Sequence, residues 1–137
     1  MKRKIYISLA LVIMLSLLAI PAFASPHTNA SGIWYYIPTE LTFIKESGGN
    51  QFFDLTEAGI WTGTFNGTSV DSGPVVMYRS GTTSFKGIVD FEGEVEGKTG
   101  SLSIKVTGRK PNPTADWKGH WVILSGSGEL SDLHGQG

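Results

Sequence analysis

The sequence predicts an all-β protein, a small antiparallel meander β-barrel of about seven to eight strands. Apolar and polar side chains alternate with period two through residues 85–96, 101–107 and 117–124, the mark of strands with one buried and one wetter face. Turn-forming residues punctuate these runs. All 18 glycines fall at or after Gly32, and several sit inside the runs.

The elements follow in chain order. Residues 1–24 have the three parts of a secretory signal: Lys2, Arg3 and Lys4, an uncharged run from Ile5 to Ile20, and Ala22 and Ala24 at −3 and −1 to a cut before Ser25. The chain is therefore expected to be secreted or otherwise extracytoplasmic after cleavage between Ala24 and Ser25. A membrane attachment is implied only if the signal stays uncleaved, since 5–24 is just long enough to span a bilayer. Residues 25–31 are small and polar and read as a tether, leaving 32–137 as a single domain. With no cysteine, no disulfide can hold an exported fold, and a packed core must do so.

Within 32–137, turns are expected at Ser47-Gly48-Gly49-Asn50, Asn66-Gly67, Ser80-Gly81, Gly97-Lys98, the proline-containing 110–116 and Ser125 to Gly128. One hairpin can be registered. A two-residue turn at Gly97-Lys98, glycine first as a type II′ turn requires, pairs Glu96 with Thr99, Phe91 with Ile104 and Val89 with Val106. Every large apolar residue then falls on one face and Asp90, Glu92, Glu94 and Glu96 on the other. A slip by one residue would undo that segregation. Gly63, Gly87, Gly93, Gly108 and Gly119 lie within strand-like runs. They are expected where a sheet bends to close a barrel, or where Trp117 or Trp121 needs room.

Removing Lys2, Arg3 and Lys4 with the signal leaves 8 of the 11 basic side chains against 12 acidic ones, a net charge of −4. That excludes nucleic acid as an expected partner, because phosphate binding needs a basic face.

Three segments carry a family resemblance: residues 59–69 from Gly59-Ile60-Trp61 to Gly67-Thr68-Ser69, residues 91–102 from Phe91-Glu92-Gly93 to Gly100-Ser101-Leu102, and residues 121–137 with Gly126-Ser127-Gly128-Glu129-Leu130 and Leu133-His134-Gly135. Their succession resembles a bacterial domain-of-unknown-function family with an allene oxide cyclase-like barrel, over residues 52–137. The resemblance implies an eight-stranded barrel from a superfamily that includes allene oxide cyclases and dirigent proteins, which handle hydrophobic intermediates. No catalytic residue is carried over. In that family the final leucine-rich turn is followed by a closing strand, whereas this sequence reaches Gly137 there. The barrel is then expected to be open, or closed by residues 33–46 or another chain. The edge of the strand at 117–124 is the expected site of self-association.

Candidate sites are few. Asp90, Glu92, Glu94 and Glu96 form a straight acidic row, which reads as a solvated outer face rather than a cation site, since calcium takes ligands from a folded loop. His120 is expected to be a surface or partly buried structural residue, with His27 in the tether and His134 in the tail, and no metal-binding spacing exists among them. Asp54 and Glu57 flank an expected strand entrance and are candidates for a barrel mouth. Asn29-Ala30-Ser31 and Asn66-Gly67-Thr68 are glycosylation sequons. The aromatic residues either line a ligand cavity or fill the interior. The candidate ligand-binding residues are Trp61, Phe65, Trp117, Trp121 and Glu57; no metal or cofactor is expected. The leading expectation is a secreted barrel that binds a small apolar ligand or a protein partner without catalysis. The alternatives are an isomerase or cyclase acting on a lipophilic substrate, or a structural, self-associating envelope protein.

Overall fold

The computed structural model describes residues 28–137, so the expected signal and the first part of the tether, His27 included, lie outside the described residues. Six strands follow one another: β1 (Gly32–Ser47), β2 (Asn50–Gly63), β3 (Phe65–Met77), β4 (Thr83–Val95), β5 (Lys98–Lys110) and β6 (Lys118–Gly128). They form one antiparallel sheet in the order β1-β2-β3-β4-β5-β6. The meander is as expected; the described residues form six strands where seven to eight were expected, and the sheet is not closed, the open form being one of the expected alternatives.

Two expected turns are strands. Asn66 and Gly67 pair with Glu94 and Gly93 inside β3, and the chain reverses instead around Thr64. Ser125 to Gly128 continue β6, paired with β5, and the turn comes after Gly128. An extra residue at Leu124 bulges β6 between the Ile104–Ile123 and Ser103–Ser125 pairs. Both Ile123 and Gly126 can therefore face the core while Leu124 stays 54% exposed.

The β4–β5 register is also corrected. The turn residues are Glu96 and Gly97, so Val95 pairs with Lys98, Phe91 with Leu102 and Val89 with Ile104. Both turn residues have positive φ, 52° and 82°, which defines a type I′ rather than a type II′ turn. Moving the turn by one residue shifts every partner by two, so the faces are kept and Phe91, Leu102 and Ile104 are all buried. Glu96 is the one described non-glycine residue at positive φ, a conformation that disfavours a side chain by about 1–2 kcal/mol. Glu96→Asn, which creates the preferred Asn-Gly turn, is expected to stabilise the protein by about 1 kcal/mol, read as a higher urea midpoint at unchanged m-value.

The sheet curls strongly. Laid flat, β1 and β6 would stand about 24 Å apart, yet the Trp117 indole N–H just before β6 donates to the Tyr36 hydroxyl of β1 at 3.2 Å. Phe65 of β3 meets Trp121 of β6 with ring centroids 5.9 Å apart. A row of glycines marks the sharpest crease: Gly67, Gly93, Gly100 and Gly128 are consecutive cross-strand partners on β3 to β6. On the concave side a Cβ at Gly67 would come within 2.8 Å of Gly93 Cα, and one at Gly93 within 2.7 Å of Gly67 Cα. The strand backbones occupy the space a side chain would need. Large side chains lie over the in-strand glycines, Phe91 above Gly93 and Trp117 above Gly108.

The core sits over this crease. Val89, Phe91, Val95, Leu102, Ile104, Ile123 and Leu130 are buried together, with Trp61, Phe65, Val106, Trp121 and Leu133 packed against them. Leu130 plugs one end and is held by a local clamp. Glu129 accepts from the Thr99 amide and hydroxyl at 2.9 and 3.0 Å, and its own N–H donates to the Thr99 carbonyl. These contacts hold the Glu129 carboxyl below its usual range.

The edges differ from expectation. The outer edge of β6 is covered by the chain's own last residues: Trp121 and Gly137 exchange backbone hydrogen bonds at 2.8 and 3.0 Å, and Ile123 N–H donates to Gly135 at 2.9 Å. β1 does not pair with β6, and its outer edge is the long open one. It exposes Ile33, Tyr35, Ile37, Leu41, Phe43 and Ile44.

Candidate functional site

The period-two rule that builds the strands also selects what lines the concave face. On β2 the inward row includes Leu55, Glu57, Gly59 and Trp61; on β3 it is Phe65, Gly67, Ser69, Asp71, Gly73 and Val75. The curl turns these rows toward β5 and β6 and leaves an open cleft of ≈ 430 Å³, a size that suits a small organic molecule. Its wall is mostly apolar: Leu55, Val75, Phe85, Val89, Ile104 and Val106, with Trp34, Trp61, Phe65, Trp117 and Trp121.

All five candidate residues, Trp61, Phe65, Trp117, Trp121 and Glu57, line this one cleft. The aromatic ones do both things expected of them. Trp61 and Phe65 pack edge-on against Phe91 at 6.2 and 5.7 Å and also border the open space. Glu57 and Asp54 do not flank a strand entrance. Both lie within β2, Asp54 on the exposed face and Glu57 inward, 3% exposed. His120 is exposed and stands on the cleft's rim beside Lys118. The acidic row follows its expected alternation, with Asp90, Glu92, Glu94 and Glu96 exposed, and among the described residues no group of three or more His, Cys, Asp or Glu gathers to hold a metal.

One acid lines the cleft, Glu57, and the acid behind it was missed from the sequence. Asp71 faces Glu57 directly across the β2–β3 ladder and is 0% exposed. Its place was available from spacing, because Phe65 and Val75 flank it on the same inward-facing set of alternate residues. Burial pushes the Glu57 carboxyl from 4.5 to about 7, and the neighbouring Asp71 adds to the rise. Burial likewise pushes Asp71 up; Ser69 and Trp34 beside it pull it back, and Asp90 adds to the rise. Neither Asp71 oxygen, nor the Trp34 indole N–H, meets hydrogen-bond geometry with a partner. Next to the acids, the Trp61 N–H donates to the Ser69 hydroxyl at 2.9 Å. Gly59 makes room for this group, since a Cβ there would lie 2.7 Å from the Trp34 nitrogen and 3.2 Å from that of Trp61.

Fold and site together define a curled, open antiparallel meander whose concave face carries an apolar cleft with a buried carboxyl pair. The family model described as "Protein of unknown function (DUF3224)" matches residues 39–137. The chain belongs to that family. Comparison with curated proteins gives no match. The matched region takes in most of β1 and all of β2 to β6. It includes the Gly126-to-Gly135 segment, where Leu130 and Leu133 pack on the core.

Proposed function

We propose that the protein binds a small, largely apolar molecule in the concave cleft, outside the cytoplasm, without chemistry on it. The observation that carries this reading is the cleft itself: about 430 Å³ left open between apolar and aromatic walls, where a packed interior would have been filled. The allene oxide cyclase-like assignment belongs to the same proposal. It is supported by the antiparallel meander, the tight curl and the concave ligand-sized space, and by the motifs over residues 52–137.

Titration with prodan, a neutral naphthalene ketone whose emission shifts in apolar surroundings, tests the reading. The expected result is saturable one-to-one binding with a blue shift. Val106→Trp, which places a larger ring in the cleft wall, should weaken that binding at least tenfold at unchanged far-UV circular dichroism. Prodan emission that never saturates, or that ignores the Val106 change, would remove the cleft as a binding site.

A second reading, an isomerase or cyclase on a lipophilic substrate, draws on Glu57. A carboxyl held near pH 7 in an apolar wall is present in both protonation states at neutral pH and can give or take a proton. Turnover of a bound substrate that is lost in Glu57→Gln would favour it over plain binding.

A further inference from the structure

We propose that the ligand of the cleft is an organic ammonium ion, its charged nitrogen seated against Glu57 with Asp71 behind and its apolar body lying along the cleft. The inference rests on the cleft being a binding site and adds the chemistry of the ligand's head group.

The cleft wall is mostly apolar and one acid lines it, Glu57, which Asp71 faces from the neighbouring strand, behind the wall. Among the described residues no cation acts on either one; the charges that do, Asp71 on Glu57 and Asp90 on Asp71, are both negative. Asp71 is fully buried, and neither of its oxygens meets hydrogen-bond geometry, although Ser69 and Trp34 lie close enough to favour its charged form. A buried carboxylate without a counter-charge is expensive, so an acid pair with no cation beside it points to a positive charge supplied from outside, at the member that lines the cleft, Glu57. An anionic ligand would be repelled. A neutral ligand would gain apolar burial and leave the acids as they are. A divalent metal ion is a poor fit, because two carboxyls fall far short of the six to eight oxygens calcium takes, and no third ligand joins them among the described residues.

An ammonium head matches what remains. It supplies the missing charge and N–H donors to the exposed side of the pair. Aromatic rings border the same place: Trp34 stacks on Trp61 at 5.8 Å and lies 4.9 Å from Tyr36. Tyr36 is two residues along β1 from Pro38, the register partner of Glu57, and so about 7 Å away on the same face. Carboxylates beside aromatic faces are the combination that recognises organic cations. Lys118 and His120, which also border the cleft, stand exposed on the β6 rim. Among the described residues Glu57 is the one acid that lines the cleft, and so the place there that attracts a cation.

Calorimetry at pH 8 with octylamine, 1-octanol and octanoate, which share one apolar chain, tests the inference. Octylamine is expected to bind at least tenfold more tightly than octanol, with octanoate weakest. In Glu57→Gln the amine's advantage should shrink to within about twofold, with Asp71→Asn moving it the same way. Glu94→Gln, on the exposed outer face, should leave it intact. Octanol binding as tightly as octylamine would overturn the ammonium assignment and leave apolar binding standing. An amine preference that survives Glu57→Gln would overturn it too, by placing the cation elsewhere. If none of the three binds, the cleft itself fails as a site and both readings fall.

Discussion

The melting temperature is expected to fall as pH rises from 5 to 8, and Glu57→Gln is expected to remove most of that fall. The folded protein holds the Glu57 proton to about pH 7, whereas an ordinary glutamate releases it near 4.5. Between those values the folded state binds more protons than the unfolded state, so stability declines with rising pH. The contribution is fully present below about 4.5, fades through the interval and is gone above 7. A rise from 4.5 to about 7 corresponds to up to about 3 kcal/mol, and Asp71, raised by the same burial, acts in the same direction. Glutamine keeps the shape without the charge, so at pH 8 the variant should be the more stable protein. The difference in melting temperature between wild type and Glu57→Gln, followed across pH, separates this carboxyl and its coupling to Asp71 from the remaining acids. A difference that stays constant from pH 5 to 8, or a variant less stable than wild type at pH 8, would mean that Glu57 is not desolvated in the fold.

Phe91→Ala should have the largest effect of any single truncation. Phe91 is 1% exposed at the centre of β4, edge-on to both Trp61 and Phe65. Removing the ring leaves a cavity and forfeits two aromatic contacts, at a cost of about 3–5 kcal/mol. Against a typical total of about 5–15 kcal/mol, that is a large share of the stability of a domain this size. Glu94→Ala, three residues on and pointing outward, should change stability by less than about 0.5 kcal/mol. Urea denaturation of the two variants side by side makes the comparison. Equal losses would mean that the inward and outward faces of β4 are misassigned.

The faces of the strands were legible because alternation depends only on neighbouring residues: Phe91 and Leu102 are inside and Glu92 and Glu94 outside, as period two requires. The β4–β5 register was legible only to within one two-residue step. Types I′ and II′ place the turn one residue apart, and both keep the faces, so hydrophobic pattern cannot choose between them. Asp71 was overlooked because a charged residue between Val70 and Ser72 reads as exposed until Phe65 and Val75 are followed along the same face. Closure was legible only as alternatives, open or closed by residues 33–46 or another chain. It depends on curl accumulated across six strands, and here that curl brings Trp117 to Tyr36 without bringing β1 and β6 within backbone hydrogen-bonding contact. Trp61, Phe65, Trp117, Trp121 and Glu57, named from the sequence as candidate ligand-binding residues, line one cleft, while the carboxyl facing Glu57 was not among the candidates.

The glycine crease separates two things that most binding pockets mix. Along Gly67, Gly93, Gly100 and Gly128 the curvature is set where backbone meets backbone, with no side chain between the strands. The side chains that border the cleft, Leu55, Val75 and Val106 among them, hang from that frame without fixing its radius. Changing them alters what the cleft accepts and leaves its width alone, whereas adding one methyl at Gly93 forces the arch itself to open. With the cleft a binding site, as proposed, a lineage built on this frame is free to exchange ligands by wall substitutions while its arch stays constant. Within such a lineage, likeness of shape carries little information about the molecule bound.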